Sequence, residues 1–266
     1  MFEITAFETR RRGRQTLLLS TLLVVTIGLV VGLYPSIAAS GVDFEAYVES
    51  FPPEVRNAFL GSVENIGTVE GFLVTELYQF VWVLLLGIYF GYVAAGTIAG
   101  EIEGGSVDLL LVNPVSRSRL VVGKFCSLLP VVVVVNAVAW LAVLVAVALV
   151  DETVDPVDLF VVHALFVLYH AASASVGLLA SVVVDRVRVA QGIAIAVHFG
   201  LYLVDSLTLD TDYEWLGDLA LSRHFDVGEL LVAGDVDWAG LGYLVVVTVV
   251  LVVASAELFE RTDVTA

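Results

Sequence analysis

The sequence predicts an all-α fold, an integral membrane bundle of six transmembrane helices, and three observations carry that prediction. Composition sets the solvent: of 266 residues, 59% are hydrophobic and only 15% charged, and the mean hydropathy is +0.96, whereas an ordinary soluble domain carries about a quarter charged residues. Six apolar stretches reach the ~18 to 20 residues that a helix needs to cross ~30 Å of hydrocarbon. None of them alternates with the period of two that marks a barrel strand, and each is about twice the ~10 residues such a strand requires. The whole chain, residues 1–266, therefore reads as one transmembrane domain.

The first span, near Leu17 to Ala39, follows Arg10, Arg11, Arg12 and Arg14. Its basic prelude and small-residue exit, SIAASG, imitate a secretory signal. The apolar core of about 20 residues exceeds the ~7 to 15 of a signal segment, so it serves as an anchor. Beyond it, FPPEVRNAFLGSV sets Phe51, Val55, Ala58, Phe59 and Val63 at helical spacing after a Pro pair. That pattern predicts a short amphipathic helix lying on the outer leaflet or on the protein. The second span, Leu77 to Ala99, leads through Gly87, Gly91, Gly96 and Gly100 in two G-x-x-x-G frames. Small residues four apart let helix backbones approach closely, bringing this face against a neighbouring span or a second copy. The remaining spans run from Phe125 to Val150, Val157 to Val184, Val189 to Leu207 and Trp238 to Ala256. Tyr213, Trp215 and Trp238 flank the last of these at the expected headgroup level.

Charge gives the orientation. Ten of the 12 Lys+Arg fall on one side, before the first span, between the second and third, between the fourth and fifth, and after the sixth. The positive-inside rule then places both termini in the cytoplasm and the chain in the cell membrane as a multi-pass protein. Asp43, Glu45, Glu49, Glu54, Glu64 and Glu70, then Asp151, Glu152, Asp155 and Asp158, then the run from Asp210 to Asp237 make the outer face acidic. A net charge of -17 with a single lysine points to a chain adapted to high salt, where screening removes self-repulsion. Its partners are the lipid bilayer and other proteins; nothing basic enough for nucleic acid is present. Cys126 is the only cysteine, which excludes an intramolecular disulfide and a thiolate metal cage and reads as a small buried apolar residue.

The chain carries no visible catalytic centre. Gly123 and Lys124 lack the earlier Gly and following Ser/Thr of a phosphate-binding loop, so ATP is not bound here. Neither H-E-x-x-H nor G-x-S-x-G occurs. His163 and His170 share a face of the fourth span and His198 sits within the fifth. Ionisable groups in the membrane point to a substrate path, while bridging neutral histidines offer a simpler reading. Apart from Glu76, Asp205, Lys124 and Asp185 near the ends, the spans carry no charge, which disfavours an ion-coupled carrier.

The loop from 100 to 124 is different. Glu101, Glu103 and Asp108 precede Arg117, Arg119 and Lys124, and between them Val107 to Val112 is too apolar for a solvated loop and too short to span. Asn113-Pro114 ends it, because a residue before proline resists the α region. Such a segment reads as a cytoplasmic docking hairpin.

Residues Glu101 to Arg117, EIEGGSVDLLLVNPVSR, continuing to Gly123-Lys124, closely resemble the signature inner loop of ABC transporter permeases of the ABC-2 type. That family's pattern reads roughly E-x-E-x-G-[TS]-x-[DE]-x-L-L-x-x-P-[VI]-[ST]-R, then G-K; Ile102 and Gly104 depart from its commoner residues. A weaker echo follows the fourth span from Ser181 to Ala190. The resemblance implies a permease subunit of an ATP-driven exporter, working as a homodimer or heterodimer. ATP and Mg²⁺ would sit on a separate ATP-binding cassette subunit. In this picture the loop supplies the coupling helix, with Ser106, Asp108 and Leu110 in its docking face. Glu101 and Glu103 would contact or orient the ATPase interface, Gly105 would permit the turn, and Pro114 with Arg117 would fix re-entry toward Lys124. An ion-coupled carrier, or a non-transporting membrane scaffold, is the competing expectation.

Overall fold

The computed structural model describes residues 2–40, 51, 67–105, 116–209 and 211–261, and among them every regular element is helical. α1 (Phe2–Arg11) passes through Arg12 into α2 (Gly13–Ala38), with Thr16 N donating to Arg12 O across the junction. α3 runs unbroken over Val69–Glu103; the Thr68 hydroxyl caps it by accepting from Gly71 N at 3.1 Å. Its middle, Leu73–Leu86, is wound as a π-helix and the remainder is α. α4 (Arg117–Cys126) is capped by Ser116, and α5 (Leu129–Leu149) follows with Pro130 in its first turn, where a missing N–H costs nothing. α6 (Pro156–Val183) starts at Asp155, whose carboxylate accepts from the amides of Val157 and Asp158. α7 (Val187–Thr208) and α8 (Trp238–Arg261) complete the chain.

Six helical stretches are long and apolar enough to cross a membrane, with α4 and α5 together forming the third. Several boundaries differ from those expected, most of all in the second and third stretches. The second stretch begins at Val69 rather than Leu77 and ends at Glu103 rather than Ala99, and the third begins at Arg117 rather than Phe125. The apolar run marks the hydrocarbon crossing, but a helix continues into the headgroup layer wherever caps satisfy its end groups. The inner loop therefore shrinks from 100–124 to 104–116. The amphipathic helix expected over 51–63 lies outside the described residues apart from Phe51.

α6 is the central column. It packs against α3, α5, α7 and α8, while α2 leans on α5 and α7 on α3. The closest crossing is Gly177 of α6 on Gly91 of α3, where a Cβ on Gly177 would overlap the Gly91 carbonyl oxygen. Gly87 faces Tyr169 and Ser173, Gly91 faces His198, and Gly96 and Gly100 face Val187, with Gln191 also against Gly96. The four glycines of the second span thus serve packing against α6 and α7 of the same chain. Cys126 is a half-buried free thiol.

Between α7 and α8 the chain folds back on the bundle in short turns over Glu214–Leu219, Ser222–His224 and Glu229–Ala233. Phe225 inserts among Phe166 and Tyr169, with ring centroids 4.6 and 5.6 Å away. Arg223 fastens the fold-back, reaching Asp205 at 2.6 Å and Glu214 at 3.0 Å, while the Ser222 hydroxyl donates to Asp205 at 2.8 Å. Burial works against the Arg223 charge, but the hydrogen bond and charge of Asp205, with Glu214 beyond, prevail and raise its pKa. Tyr213, Trp215 and Trp238 remain exposed around this end. At the opposite end α1 and the last turns of α8 both pack on α4, so the two helical termini of the chain share one end of the bundle.

Candidate functional site

The end of the bundle carrying both termini is built around Lys124, which is buried although it is a lysine. α4 enters the bundle from the loop, and in its last turn Lys124 points inward. Its ammonium meets Glu8 of α1 at 2.7 Å and Glu101 of α3 at 2.5 Å. All three side chains are less than one-fifth exposed. Taking such charges out of water costs several kcal/mol per ion, and only mutual contact with good geometry offsets this. Arg12 lies half-buried nearby; burial lowers its pKa and Glu8 opposes the shift. Thr5 and Thr9 donate to the carbonyls of Gly123 and Ser127, each at 3.3 Å, and lay α1 along α4.

Glu103 reaches elsewhere. Its carboxylate accepts from Val187 N at 2.8 Å, at the first turn of α7. Arg186, the residue in the cap position of α7, makes no capping bond with its own side chain, so α3 supplies the anion that this helix terminus favours. Two residues on, Gly105 leaves α3 with φ 64°, a left-handed conformation that ends the helix and that residues with a Cβ adopt at a cost. Ser181 reinforces the same region: its buried hydroxyl accepts from the amides of Ile98 and Ala99 at 2.8 and 2.9 Å.

The returning arm of the loop is tied to the last helix. The Ser118 hydroxyl donates to Glu260 at 2.6 Å, Ser118 N donates to the same oxygen at 3.3 Å, and Arg117 lies 5.7 Å above the Phe259 ring while donating to the Phe259 carbonyl at 3.5 Å. Of the residues singled out for coupling, Glu101, Glu103, Gly105, Arg117 and Lys124 are thus placed at the two feet of the loop. Ser106, Asp108, Leu110 and Pro114 lie outside the described residues.

Within the bundle a second polar cluster joins α3, α5 and α6. Leaving a π-helix for an α-helix shifts bonding from i→i+5 to i→i+4, which skips one carbonyl. At that junction the Trp82 carbonyl accepts from His170 Nε2 at 3.1 Å and the Val83 carbonyl from the Tyr169 hydroxyl at 3.0 Å. With Nε2 donating, His170 Nδ1 accepts from the Asn136 amide at 3.3 Å, and the Asn136 oxygen accepts from the Trp82 indole at 3.1 Å. This network assigns His170 one neutral tautomer with both nitrogens partnered. His163 donates from Nδ1 to the Leu159 carbonyl at 2.9 Å, with its ring edge-on to Tyr78 and Trp82. His198 is separate from these two. It donates from Nδ1 to the Ala194 carbonyl at 3.0 Å and lines a cavity of about 20 Å³ with Val83, Tyr169, Tyr202 and Ser222.

Glu8, Asn136 and Tyr169 are among the residues of these clusters that carry no role in the sequence reading. Glu8 sits in a helix that carries both acids and arginines, and nothing in its neighbours marks it. Asn136 could have been found, because a single amide inside VVVVVNAVAW is costly in lipid unless it is partnered. Tyr169 gives no such sign in an aromatic-rich span. Groups of His, Cys, Asp and Glu able to hold a metal ion are absent among the described residues.

Compared with curated proteins, the chain matches none. The sequence model of a family described as ABC-2 family transporter protein matches residues 5–221, from α1 through α7 into the fold-back turns. That range contains Glu8, both feet of the loop, Lys124 and the whole intramembrane cluster. A match over most of the chain, centred on the loop whose anchors were described above, shows that this multi-pass membrane protein belongs to the ABC-2 family of transporter permeases.

Proposed function

We propose that the chain is the membrane-spanning subunit of an ATP-driven exporter, coupled to a separate ATP-binding cassette subunit through the loop between α3 and α4. The end holding Lys124 faces the cytoplasm, and the permease works as a dimer with a second copy or a related chain. ATP and Mg²⁺ belong to the partner. The observation that supports this most is the anchoring of both loop feet. Glu101 and Glu103 tie the outgoing foot to α1, α4 and α7, and Arg117 with Ser118 ties the returning foot to α8. A push on residues 106–115 by a partner then has little slack to lose before it reaches these helices, because ion pairs and packed helix ends transmit displacement rather than absorb it. In this reading Ser106, Asp108 and Leu110 meet the ATPase and Pro114 sets the return angle. Of the three histidines, His198 contributes to the substrate path from its cavity, while His163 and His170 brace the helices.

The test is reconstitution with the ATP-binding subunit, identified as a stoichiometric companion bearing a phosphate-binding loop when the chain is purified from its own host's membranes. Glu103→Lys and Pro114→Leu are expected to leave the protein inserted and the partner's ATPase active, while ATP-dependent accumulation of substrate in inside-out vesicles falls at least tenfold. Undiminished transport by both variants would remove the loop from this role, and intact protein that brings no ATPase with it would remove the reading altogether.

A further inference from the structure

α1 has two faces of different character. Thr5, Glu8 and Thr9 turn toward α4, where each has a partner. Phe7, Arg10, Arg11 and, past the junction, Arg14 occupy positions i, i+3, i+4 and i+7 on the other side, and all four are exposed. Phe7 is 66% exposed. The three arginines make no ion pair or hydrogen bond with the described residues. This face runs directly into an apolar stripe on α2: Leu17, Leu18, Leu22, Val25, Leu29 and Leu33 are all more than half exposed. At about 1.5 Å per residue, Leu17 to Ala38 covers about 32 Å, close to the hydrocarbon thickness. Arg14 therefore stands at the edge of the hydrocarbon, and Arg10 and Arg11 one turn beyond it, at the depth of the lipid phosphates.

We propose that the Phe7, Arg10, Arg11 and Arg14 face of α1 binds anionic phospholipid headgroups of the leaflet at this end of the bundle. Charge complementarity selects the occupant. A chain of net charge -17 is repelled by an anionic surface, and this arginine patch, which forms no ion pair among the described residues, supplies the local attraction. Guanidinium groups bind phosphate oxygens in pairs, Phe7 wedges into the headgroup layer, and the stripe on α2 gives the acyl chains a surface to follow. Lipid, rather than a protein partner, fits because the patch is continuous with that stripe. The contact holds one face of α1 on the headgroups while its other face grips Lys124. The inference requires membrane insertion alone and is independent of how transport is driven.

Native mass spectrometry of the full-length chain, released from detergent with added short-chain phosphatidylglycerol or phosphatidylcholine, tests it. The wild type is expected to retain phosphatidylglycerol in preference to phosphatidylcholine. Each arginine near an anionic surface contributes about fivefold, so the triple variant Arg10→Gln, Arg11→Gln, Arg14→Gln should lose at least tenfold in phosphatidylglycerol affinity. Phosphatidylcholine retention should not move. The matched Lys variant should restore most of the preference, and Arg186→Gln with Arg188→Gln, exposed elsewhere on the chain, should leave it intact. An unchanged preference in the triple Gln variant overturns the proposal. So does displacement of the lipid by millimolar inorganic phosphate, which would make this a free-phosphate site. Conversion of dimers to monomers in the triple variant with lipid retention unchanged would reassign the face to a second copy.

Discussion

Lys124 is the only lysine in the chain, and carboxylates from two different helices converge on it. Removing it would strand both acids in a buried site, whereas removing all three charges would leave neither acid charged without its lysine. Lys124→Met is therefore expected to cost about 3 kcal/mol of stability, and adding Glu8→Gln and Glu101→Gln to recover most of it. Chemical denaturation in detergent reads both steps; a triple variant no more stable than Lys124→Met would show that geometry rather than charge pairing holds the site. Asn136 poses the same question without charge. Asn136→Leu leaves the Trp82 indole and His170 Nδ1 without their partner, and a loss of about 1 kcal/mol is expected, the modest scale of hydrogen bonds between spans. A loss no larger than that of Asn136→Ser, which retains an acceptor, would argue against the indole bond as its source. At this scale the sequence was partly legible: Lys124, Glu101 and His170 stand out by type alone. Glu8 did not, because one glutamate beside four arginines looks like ordinary surface until α1 is laid on α4.

Among the elements, α3 and α6 form the contact on which the others depend. Their crossing rests on Gly91 and Gly177, and the two positions differ in what a methyl group would meet. At Gly177 it would strike backbone, the Gly91 carbonyl, while at Gly91 it would first meet the His198 ring, 2.8 Å away, and then the Ser173 carbonyl at 3.3 Å. A ring at the end of a side chain can shift; a backbone carbonyl in a packed helix moves only with its helix. Gly177→Ala is thus expected to lower the thermal midpoint more than Gly91→Ala, with both folded at 4 °C. The reverse order would place the tight contact elsewhere. The glycine frames were visible in the second span, but which helix they meet was not, since Gly177 lies 86 residues after Gly91 and is in no G-x-x-x-G frame. The π-wound stretch Leu73–Leu86 was equally hidden. Its signature is the pair of carbonyls at Trp82 and Val83 taken up by His170 and Tyr169, which only the folded bundle brings within reach.

On the scale of the whole molecule, charge is segregated: among the described residues the arginines other than Arg223 gather at the end holding Lys124, and acidic residues such as Glu214, Asp218, Glu229 and Asp237 gather around the fold-back at the other. With a net charge of -17, self-repulsion opposes the compact state at low ionic strength and fades as salt screens it. Thermal stability is expected to rise from 0.1 M to molar salt; a flat or falling curve would separate the acidic composition from adaptation to salt. By itself the sequence determined the number of spans and that most basic residues share one end of the bundle, because hydrocarbon admits only backbone satisfied within its own segment and penalises charge wherever it falls in the chain. It also determined the family, because the residues of the loop between α3 and α4 are contiguous. Only the tertiary structure decided what those residues hold: that Lys124 joins α1 to α3, that Glu103 caps α7, and that Arg117 and Ser118 fasten the loop to α8. These are contacts between helix ends far apart in the chain, and hydrophobic periodicity, which fixes where a helix lies, is silent about which helix ends meet.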